Sequence, residues 1–332
     1  MRLLAKKIVI LGPLPPPYGG VAVFNALLEW NLRAKGYHVT SIHVGTKENY
    51  IAALQAISRN SVIIDSYSGV LEYPELRVFR WYLKGKKINW IKVLHDATLP
   101  SRFCNFSILQ KTFSQTNAAL FDSIVCVSKA LHEWVLNHCY LSRSTVIPSL
   151  LPLPLGYVSM DSADHFSLPQ PYVVTVGTPA PVYGVQGVID VIKKIRSTGV
   201  DLNLVILDGG FSSDNVKCDA VDEGIIRLTC VPHQDALRII KGANALIRNV
   251  QHESVGLCRI EALLQGTPVI ATNTGEVRFV KTYDFGDEKR LQELVIECLY
   301  SSEATSVEIK DFYSALADEN LGSYLSLISE MQ

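Results

Sequence analysis

Short apolar runs recur along the whole chain, and most of them end at a glycine or at a polar turn. Runs of about four to eight apolar residues bounded by turn residues are typical of strands buried on both faces of a parallel sheet. Between them lie longer segments whose apolar residues have helical spacing. The pattern predicts strands at 7–11, 38–44, 62–65, 88–94, 123–128, 145–148, 172–177, 202–207, 225–230, 245–247 and 269–271. It predicts helices at 21–34, 74–84, 129–137, 187–197, 233–242, 256–265, 291–300 and 311–331.

The order of these elements predicts two α/β domains. Each half of the chain begins with a strand, a glycine turn and a helix, which is how a doubly wound parallel sheet starts. A chain of 332 residues is also beyond the size at which one core usually stops growing, so two domains of about 150 residues each are expected. Prolines at 152, 154, 169 and 171 place the linker at 159–170. We therefore expect two Rossmann-like domains facing across a cleft, one over 1–165 and one over 170–310.

Composition and charge exclude several classes of protein. The formal net charge of −1 and the pI near 6.7 argue against a nucleic-acid binder that works through bulk charge. Seven cysteines without a Cys-x-x-Cys pair indicate neither a disulfide framework nor a zinc site, so a reducing cytoplasm is expected. The basic and then apolar N-terminus has no small-residue cleavage site and predicts a first strand rather than a signal peptide. No apolar run approaches the roughly 20 residues of a spanning helix, so any membrane contact is expected to be peripheral.

One segment, HESVGLCRIEALLQGTPVIATNTGE, combines two carboxylates with the start of a helix. Glu253 and Glu261 are separated by seven residues, and Gly256 lies between them where an apolar helical segment begins. Carboxylates accept hydrogen bonds from hydroxyl groups. Free N–H groups at a helix start bind phosphate, and here they belong to Leu257 and Cys258. The segment could therefore hold both halves of a nucleotide-sugar.

A second glycine-rich loop follows the first predicted strand. Its sequence is GPLPPPYGG, and four prolines stiffen it. Gly19 and Gly20 can take positive φ and let a ligand touch the backbone immediately before the next helix. The alternative is a tight structural turn that binds nothing.

Two glutamates with seven residues between them, followed by Ala and then by Gly-Thr-Pro-Val-Ile-Ala, resemble the donor-site signature of family 4 of the retaining glycosyltransferases. Members of that family have two Rossmann-like domains of the GT-B type. This chain is most similar to the bacterial branch that assembles polysaccharides and lipid-linked glycans. The resemblance implies transfer of a hexosyl or N-acetylhexosaminyl group from a nucleotide-sugar donor to a glycan or polyprenyl-linked acceptor, at the cytoplasmic face of the inner membrane. It also implies that the final helix, at about 311–332, packs back on the first domain.

The resemblance further implies a role for individual residues. Glu253 would bind hydroxyl groups of the donor sugar, and Glu261 would reach the ribose of the nucleotide. The family's opening Gly-Gly loop lies close to the donor diphosphate. His95, at the end of a predicted strand, resembles a strand-end histidine near the donor sugar, with a structural histidine as the alternative. No protein nucleophile is expected, and no catalytic base is assigned, because the leaving phosphate helps to deprotonate the acceptor.

Two cations that most of the family places on the diphosphate are missing from this chain. The corresponding donor-site positions hold Thr178 and Tyr183 instead of Arg and Lys. Arg248, at the exit of a predicted strand, matches an arginine of some polysaccharide-assembly members, and a guanidinium fork suits phosphate oxygens. We therefore expect Arg248 to compensate, although a strand-end arginine can also be a surface charge.

No metal and no other cofactor is expected. The chain contains no Asp-x-Asp motif, so a metal-chelated diphosphate is not supported. The histidines at 132, 138, 165 and 233 have no ligand spacing and are interpreted as structural or surface residues.

The predicted helix at 74–84 carries a basic stripe interleaved with aromatic residues. Such a pattern can lie on an anionic membrane, and an ordinary solvated helix face is the alternative. The residues concerned are Arg77, Phe79, Arg80, Trp81, Tyr82, Lys84, Lys86 and Lys87.

Three functions stay open on the sequence, and a glycosyltransferase is the leading one. The missing cations favour a non-catalytic two-domain subunit that binds a partner enzyme. A sugar-nucleotide epimerase of similar architecture would interconvert its substrate without any acceptor. For a transferase, the family's division of labour places the acceptor in the first domain, near 65–70 and 95–105.

Overall fold

The computed structural model describes residues 7–16, 18–68, 71–154, 157, 167–209, 217–300 and 307–331. Most of the linker predicted at 159–170 lies outside these ranges. The chain divides into two compact units. The first consists of Met1–Pro15, Gly20–Leu153 and Leu316–Gln332, and the second consists of Pro16–Gly19 and Pro154–Ala315.

The first unit is built on a six-stranded parallel sheet. Its strands are β1 Lys7–Gly12, β2 Val39–His43, β3 Ser61–Asp65, β4 Asn89–Leu94, β5 Ser123–Cys126 and β6 Ser144–Val146. The strand order is β2-β1-β3-β4-β5-β6, so the chain starts in the interior of the sheet and winds outward in both directions. This is the doubly wound order that ligand-binding sheets of this kind share.

Apolar strands covered on both faces make the core of the first unit. Ile64 and Ile91 are fully buried, and so are their chain neighbours Ile63 and Trp90, which point to the opposite face. Helices therefore pack on both sides of the sheet. They are α1 Gly20–Ala34, α2 Lys47–Ala56, α3 Leu76–Gly85, α4 Leu99–Cys104, α5 Ile108–Asn117 and α6 Lys129–His138.

The second unit contains a seven-stranded sheet of the same kind, with the order β13-β12-β11-β7-β8-β10-β9. All pairs are parallel except β9 with β10, which form an antiparallel edge. The strands are β7 Tyr172–Val176, β8 Asn203–Asp208, β9 Lys217–Asp222, β10 Ile225–Thr229, β11 Leu246–Arg248, β12 Val269–Thr272 and β13 Lys281–Tyr283. The helices are α7 Val185–Ser197, α8 His233–Lys241, α9 Leu257–Gln265 and α10 Glu288–Tyr300. The prediction of two Rossmann-like α/β domains is therefore confirmed.

The final helix, α11 Val307–Glu330, contributes its C-terminal part to the first unit. Tyr324 is fully buried there, with its ring 5.9 Å from that of Phe24. The amide of Asn320 donates to the carbonyl of Leu150 at 3.0 Å. A C-terminal segment thus completes the packing of an N-terminal fold.

Five elements of the structure are absent from the predicted pattern: α2, α4, α5, β9 and β13. The two strands lie at the edges of the second sheet. The three helices belong to the first unit, where α4 and α5 follow directly after β4. Within the described part of the chain, no helix combines the length and the apolar character needed to cross a bilayer.

Candidate functional site

Helix α9 begins at a glycine that no other residue could replace without a shift of neighbouring atoms. Gly256 precedes the helix in the left-handed region, with φ +79°. A Cβ on this residue would lie 3.0 Å from Cδ of Arg259 and 3.3 Å from Cγ of Glu253. The first N–H groups of the helix, those of Leu257 and Cys258, have no acceptor within the helix. The sequence predicted this helix start correctly.

Glu253 is held in place by an arginine on one side and a glycine on the other. The Nε of Arg248 donates to Oε2 of Glu253 at 2.8 Å. A Cβ on Gly275, which has φ +69°, would lie 3.0 Å from Cγ of Glu253. The carboxylate is therefore fixed before any ligand arrives, which is how a binding group is preorganised. Gly275 has no predicted role, because only the folded chain brings it to Glu253.

Arg248 is anchored at the end of β11 by three partners. Besides Glu253, it donates from Nη1 to the carbonyl of Val176, and it stands over the ring of Tyr183 at 5.3 Å. Burial by itself would lower the pKa of Arg248, but the neighbouring Cys258 and Glu253 raise it overall. The interpretation of a loose surface charge is wrong, because the residue is only 9% exposed. The site therefore contains a fixed positive charge.

The loop after β7 uses Thr178 and Tyr183 for structure. The hydroxyl of Thr178 accepts from the backbone N–H of Ala180 at 3.4 Å, and Tyr183 ends a short 3₁₀ helix beneath Arg248. Gly184 follows with φ +53° and receives a hydrogen bond from the amide of Asn249 to its carbonyl at 2.9 Å. Of the two residues that replace the expected cations, Tyr183 contacts Arg248, whereas Thr178 closes the turn before the 3₁₀ helix.

Glu261 is held by a histidine to which the sequence assigned no ligand role. The Nε2 of His233 lies 2.8 Å from Oε1 of Glu261, and its Nδ1 lies 3.1 Å from the hydroxyl of Tyr157. Burial by itself would lower the pKa of His233, but the charge of Glu261 and the hydrogen bond to it raise the pKa above its usual value. His233 is 8% exposed and is therefore not a surface residue. The packing of α8 against α9 makes the contact, and no spacing in the sequence announces it.

Cys258 is not a nucleophile in this arrangement. Burial raises the pKa of its thiol to about 11, so the sulfur stays protonated at neutral pH. Its contribution to the site is the backbone N–H in the first turn of α9.

In the first unit, His95 directly follows β4 and is neutral. Its Nδ1 lies 3.2 Å from the hydroxyl of Ser149, and its ring meets that of Phe24 edge to face at 4.8 Å. Burial, together with the charge of Lys92, lowers the pKa of His95 to about 3. At neutral pH the imidazole is therefore uncharged.

The prediction that Gly19 and Gly20 take positive φ is wrong. Neither glycine has a positive φ, and Gly20 is already the first residue of α1. A Cβ on either residue would meet none of the described atoms within 4 Å. The glycines are not required by the turn itself, and the space beside them is open.

A buried charge cluster joins the ends of β3 and β4 in the first unit. Asp65 accepts from Nζ of Lys92 at 3.0 Å, from the hydroxyl of Tyr50 at 2.5 Å and from Nε1 of Trp90 at 3.1 Å. Burial lowers the pKa of Lys92. The cluster fixes the start of the loop near 65–68. It was not predicted, because Lys92 lies inside an apolar run.

The basic stripe of α3 is only partly exposed. Arg80 is buried and forms an ion pair with Asp122, and Lys86 donates to the carbonyls of Gln55 and Ile57. Its outward face combines apolar and basic side chains and belongs entirely to the first unit. We call this face the α3 surface, and it consists of Arg77, Val78, Trp81, Tyr82, Lys84 and Lys87.

Comparison with known proteins gives a family match over part of the second unit and structural neighbours that share the fold. The family model described as "Glycosyl transferases group 1" matches residues 161–285, which is less than half of the chain. No curated protein sequence matches the chain. The candidate residues from Thr178 to Gly275 lie within the matched segment, whereas Gly19, Gly20 and His95 lie outside it.

Three solved structures illustrate the likeness. Sucrose-phosphate synthase from Thermosynechococcus elongatus has a TM-score of 0.68 at 13% identity, covering 98% of this chain and 99% of its own. WaaG, a glycosyltransferase involved in lipopolysaccharide biosynthesis, has a TM-score of 0.60 at 13% identity, covering 96% of this chain and 94% of its own. The pneumococcal O-GlcNAc transferase GtfA, in complex with UDP and GlcNAc, has a TM-score of 0.57 at 14% identity, covering 86% of this chain and 60% of its own. At these identities the likeness establishes a shared fold, the GT-B fold of glycosyltransferases.

Proposed function

We propose that the chain is a retaining glycosyltransferase that moves a sugar from a nucleotide-sugar donor to a glycan or polyprenyl-linked acceptor. The observation that carries the proposal is the arrangement around α9. Glu253 and Glu261 lie before and after its first turn, and Arg248 and His233 hold them in place. The family match over residues 161–285 and the complex of the neighbour GtfA with UDP support this assignment.

The donor would lie along the N-terminus of α9. Glu253 has its Oε2 occupied by Arg248, and its other oxygen would accept from a hydroxyl of the donor sugar. Glu261 would accept from the ribose, next to the imidazole of His233. The diphosphate would meet the N–H groups of Leu257 and Cys258 and the positive helix end.

The transfer breaks the bond between C1 of the sugar and the diphosphate oxygen, which keeps the electron pair. The acceptor hydroxyl forms the new bond to C1 on the same face, and its proton passes to the departing phosphate oxygen. Negative charge therefore builds on the diphosphate, where the fixed guanidinium of Arg248 and the helix N–H groups stabilise it. No protein nucleophile is required, which agrees with the protonated thiol of Cys258.

The donor assay tests this proposal. Release of nucleoside diphosphate is measured for UDP-, GDP- and TDP-sugars with glycan and polyprenyl-linked acceptors, and we expect turnover with one donor. Arg248→Ala lowers kcat about 100-fold, because one fixed donor to the developing charge is lost. Arg290→Ala, which removes an exposed pair with Glu293 at 3.0 Å, is the matched control and keeps full activity.

The same assay separates the other functions. Absence of binding and turnover with every donor contradicts the transferase, and interconversion of a sugar nucleotide without an acceptor identifies an epimerase. Donor binding that is unchanged in Arg248→Ala, without any turnover, supports the non-catalytic subunit. We also propose that no metal takes part, so activity stays within about twofold in excess EDTA, whereas a metal-chelated diphosphate would lose it.

We further propose that the first unit binds the acceptor and contacts an anionic membrane at the cytoplasmic face. The acceptor would lie near the Asp65 cluster and the segment 95–105. The α3 surface supports the membrane contact, since Val78 is 69% exposed and Trp81 is 80% exposed beside Arg77, Lys84 and Lys87. Aromatic and basic side chains on one helix face are suited to the boundary of an anionic bilayer.

A further inference from the structure

Arg259 is a charged residue in a position where an apolar residue would be expected. It is the third residue of α9 and is completely buried. Arginine is almost never fully buried unless it is paired, because removing its charge from water is costly. The described residues place no carboxylate in contact with it. Its presence therefore needs another reason.

The guanidinium of Arg259 binds a loop instead. Nη1 donates to the carbonyl of Thr274 and, at 3.5 Å, to the carbonyl of Glu276. The backbone N–H of Glu276 donates to the carbonyl of Val255 at 3.2 Å. The loop that contains Gly275 is thus attached to the start of α9 at two points.

This loop packs directly on Glu253. A Cβ on Gly275 would lie 3.0 Å from Cγ and 3.1 Å from Cβ of Glu253. On the other side, Gly256 leaves room for both Cδ of Arg259 and Cγ of Glu253. The stem of the glutamate is therefore enclosed by two left-handed glycines, and Arg259 determines where one of them lies.

The remaining hydrogen-bond donors of Arg259 show that its charge is only partly satisfied by the loop. Its Nε and Nη2 are buried and have no hydrogen-bond partner in the described structure. The positive charge therefore stays uncompensated by contacts and attracts the nearby Glu253 carboxylate. Arg248 thus touches Glu253 directly, and Arg259 holds the loop that packs on Glu253.

We propose that Arg259 is a positioning residue that sets the orientation of Glu253, and that it thereby determines recognition of the donor's sugar but not of its nucleotide. The inference rests on the proposed function, since it assumes that Glu253 binds the sugar. Glu261 is held by His233 instead, and neither residue makes a hydrogen bond with the loop at 274–276 in the described structure. The two halves of the donor should therefore respond differently to changes at Arg259.

Binding of paired ligands tests the inference. Calorimetry compares UDP with UDP-glucose and UDP-N-acetylglucosamine, and GDP with GDP-mannose, on the full chain. We expect Arg259→Met to weaken binding of the recognised sugar nucleotide about tenfold and to leave its nucleoside diphosphate within about twofold. Arg259→Lys, which keeps the charge and one set of donors, restores part of the loss.

A glycine pair keeps the test valid if the arginine variants fold poorly. Gly275→Ala presses a methyl group on Glu253 and should give the same selective loss for the sugar nucleotide. Gly286→Ala is the matched control, because Gly286 also has a positive φ, +91°, but has no described atom within 4 Å of a Cβ. It introduces the same kind of backbone strain without touching Glu253, and should leave both affinities unchanged.

Two results overturn the inference. In the first, Arg259→Met and Gly275→Ala weaken binding of the sugar nucleotide and of the nucleoside diphosphate equally, or change neither affinity. Arg259 then has a purely structural role, and the proposed function stands. If the unaltered chain binds none of the nucleotides and none of the sugar nucleotides, the proposed function fails and the inference fails with it.

Discussion

Glu253 and Glu261 differ in the kind of partner that holds each carboxylate. Glu253 pairs with a permanently charged guanidinium, and Glu261 pairs with an imidazole that can lose its charge. Each pair lies in a largely desolvated place, so removal of one member leaves the other without compensation. The two acids should therefore be separable by mutation and by pH.

Glu253→Gln and Glu261→Gln are expected to impair different parts of the donor. Glu253→Gln should weaken binding of the sugar nucleotide about tenfold and leave binding of the nucleoside diphosphate unchanged, because Glu253 contacts only the sugar. Glu261→Gln should weaken binding of both ligands about equally, because both contain the ribose. Calorimetry with UDP and UDP-sugars, or with GDP and GDP-sugars, distinguishes the cases. Identical effects of the two substitutions would contradict the assigned division of roles.

The pair of His233 and Glu261 predicts a pH-dependent contribution to stability. Because the folded state raises the pKa of His233, its contribution is complete below the unfolded value of about 6.5 and falls as the pH rises through the raised value. The groups that face the ring are Glu261 and Tyr157. Urea denaturation should show a larger difference between the unaltered chain and His233→Gln at pH about 5.5 than at pH about 8.5.

His132→Gln is the matched control for this experiment. His132 contacts the hydroxyl of Ser144 at 2.9 Å and has no carboxylate partner among the described residues. Its replacement removes an imidazole without removing an ion pair, and its effect on the free energy of unfolding is the baseline for the comparison. If the difference in the free energy of unfolding between the unaltered chain and His233→Gln grows as the pH rises, the ion pair with Glu261 is rejected.

At the scale of elements, two loops of the second unit are interlocked by a left-handed glycine. A Cβ on Gly184 would lie 2.4 Å from the carbonyl oxygen of Asn249, whose side chain in turn binds the carbonyl of Gly184. The backbone N–H of Gln251 also donates to the carbonyl of Val182 at 3.1 Å. The loop after β7 and the loop after β11 are therefore joined by hydrogen bonds, beside the contact of Tyr183 with Arg248.

Gly184→Ala is therefore expected to lower the free energy of unfolding by about 1–3 kcal/mol, since both the φ of +53° and the contact with Asn249 oppose a methyl group. Gly199→Ala is the control, because Gly199 has φ +88° but open space around its Cβ position among the described atoms. The control carries only the backbone strain and should cost less. If urea denaturation shows the same loss in the free energy of unfolding for both variants, the contact with Asn249 does not oppose the added methyl group.

Most elements could be predicted because their buried residues are apolar. Strands β1, β3, β7 and β8 are mainly apolar runs, and the glycines at both ends of α9 mark its boundaries. Helix α5 was missed because its buried residues are polar, namely Ser114 and Asn117. Its start does carry a capping box of Ser107 and Gln110, a signal that was available in the sequence.

The site was predictable only where its residues are close in sequence. Glu253, Gly256 and Glu261 share one helix start, so their spacing was sufficient. The contacts of His233 with Glu261 and of Gly275 with Glu253 cross 28 and 22 positions, as the numbers show, and depend on the packing of separate elements. Arg259 reads as a surface residue of a helix until the loop that covers it is known.

At the scale of the whole molecule, the family model matches a segment of the second unit only. The group 1 glycosyl transferase match lies at 161–285, whereas the described strands β1 to β6 all lie outside it. The candidate donor residues Glu253, Glu261 and Arg248 are within the match. The Asp65 cluster and the α3 surface lie in the first unit, outside the matched segment.

The α3 surface predicts binding of the full chain to anionic vesicles. Trp81→Ser combined with Val78→Ser should lower sedimentation with phosphatidylglycerol vesicles about tenfold, because the apolar side chains that enter the bilayer boundary are lost. Raising NaCl to about 0.5 M should weaken binding, since Arg77, Lys84 and Lys87 are then screened. Tyr300→Ser, which alters a residue 78% exposed on α10 of the second unit, is the matched control and should bind normally. Equal sedimentation of the double variant and the unaltered chain would assign the α3 surface to solvent.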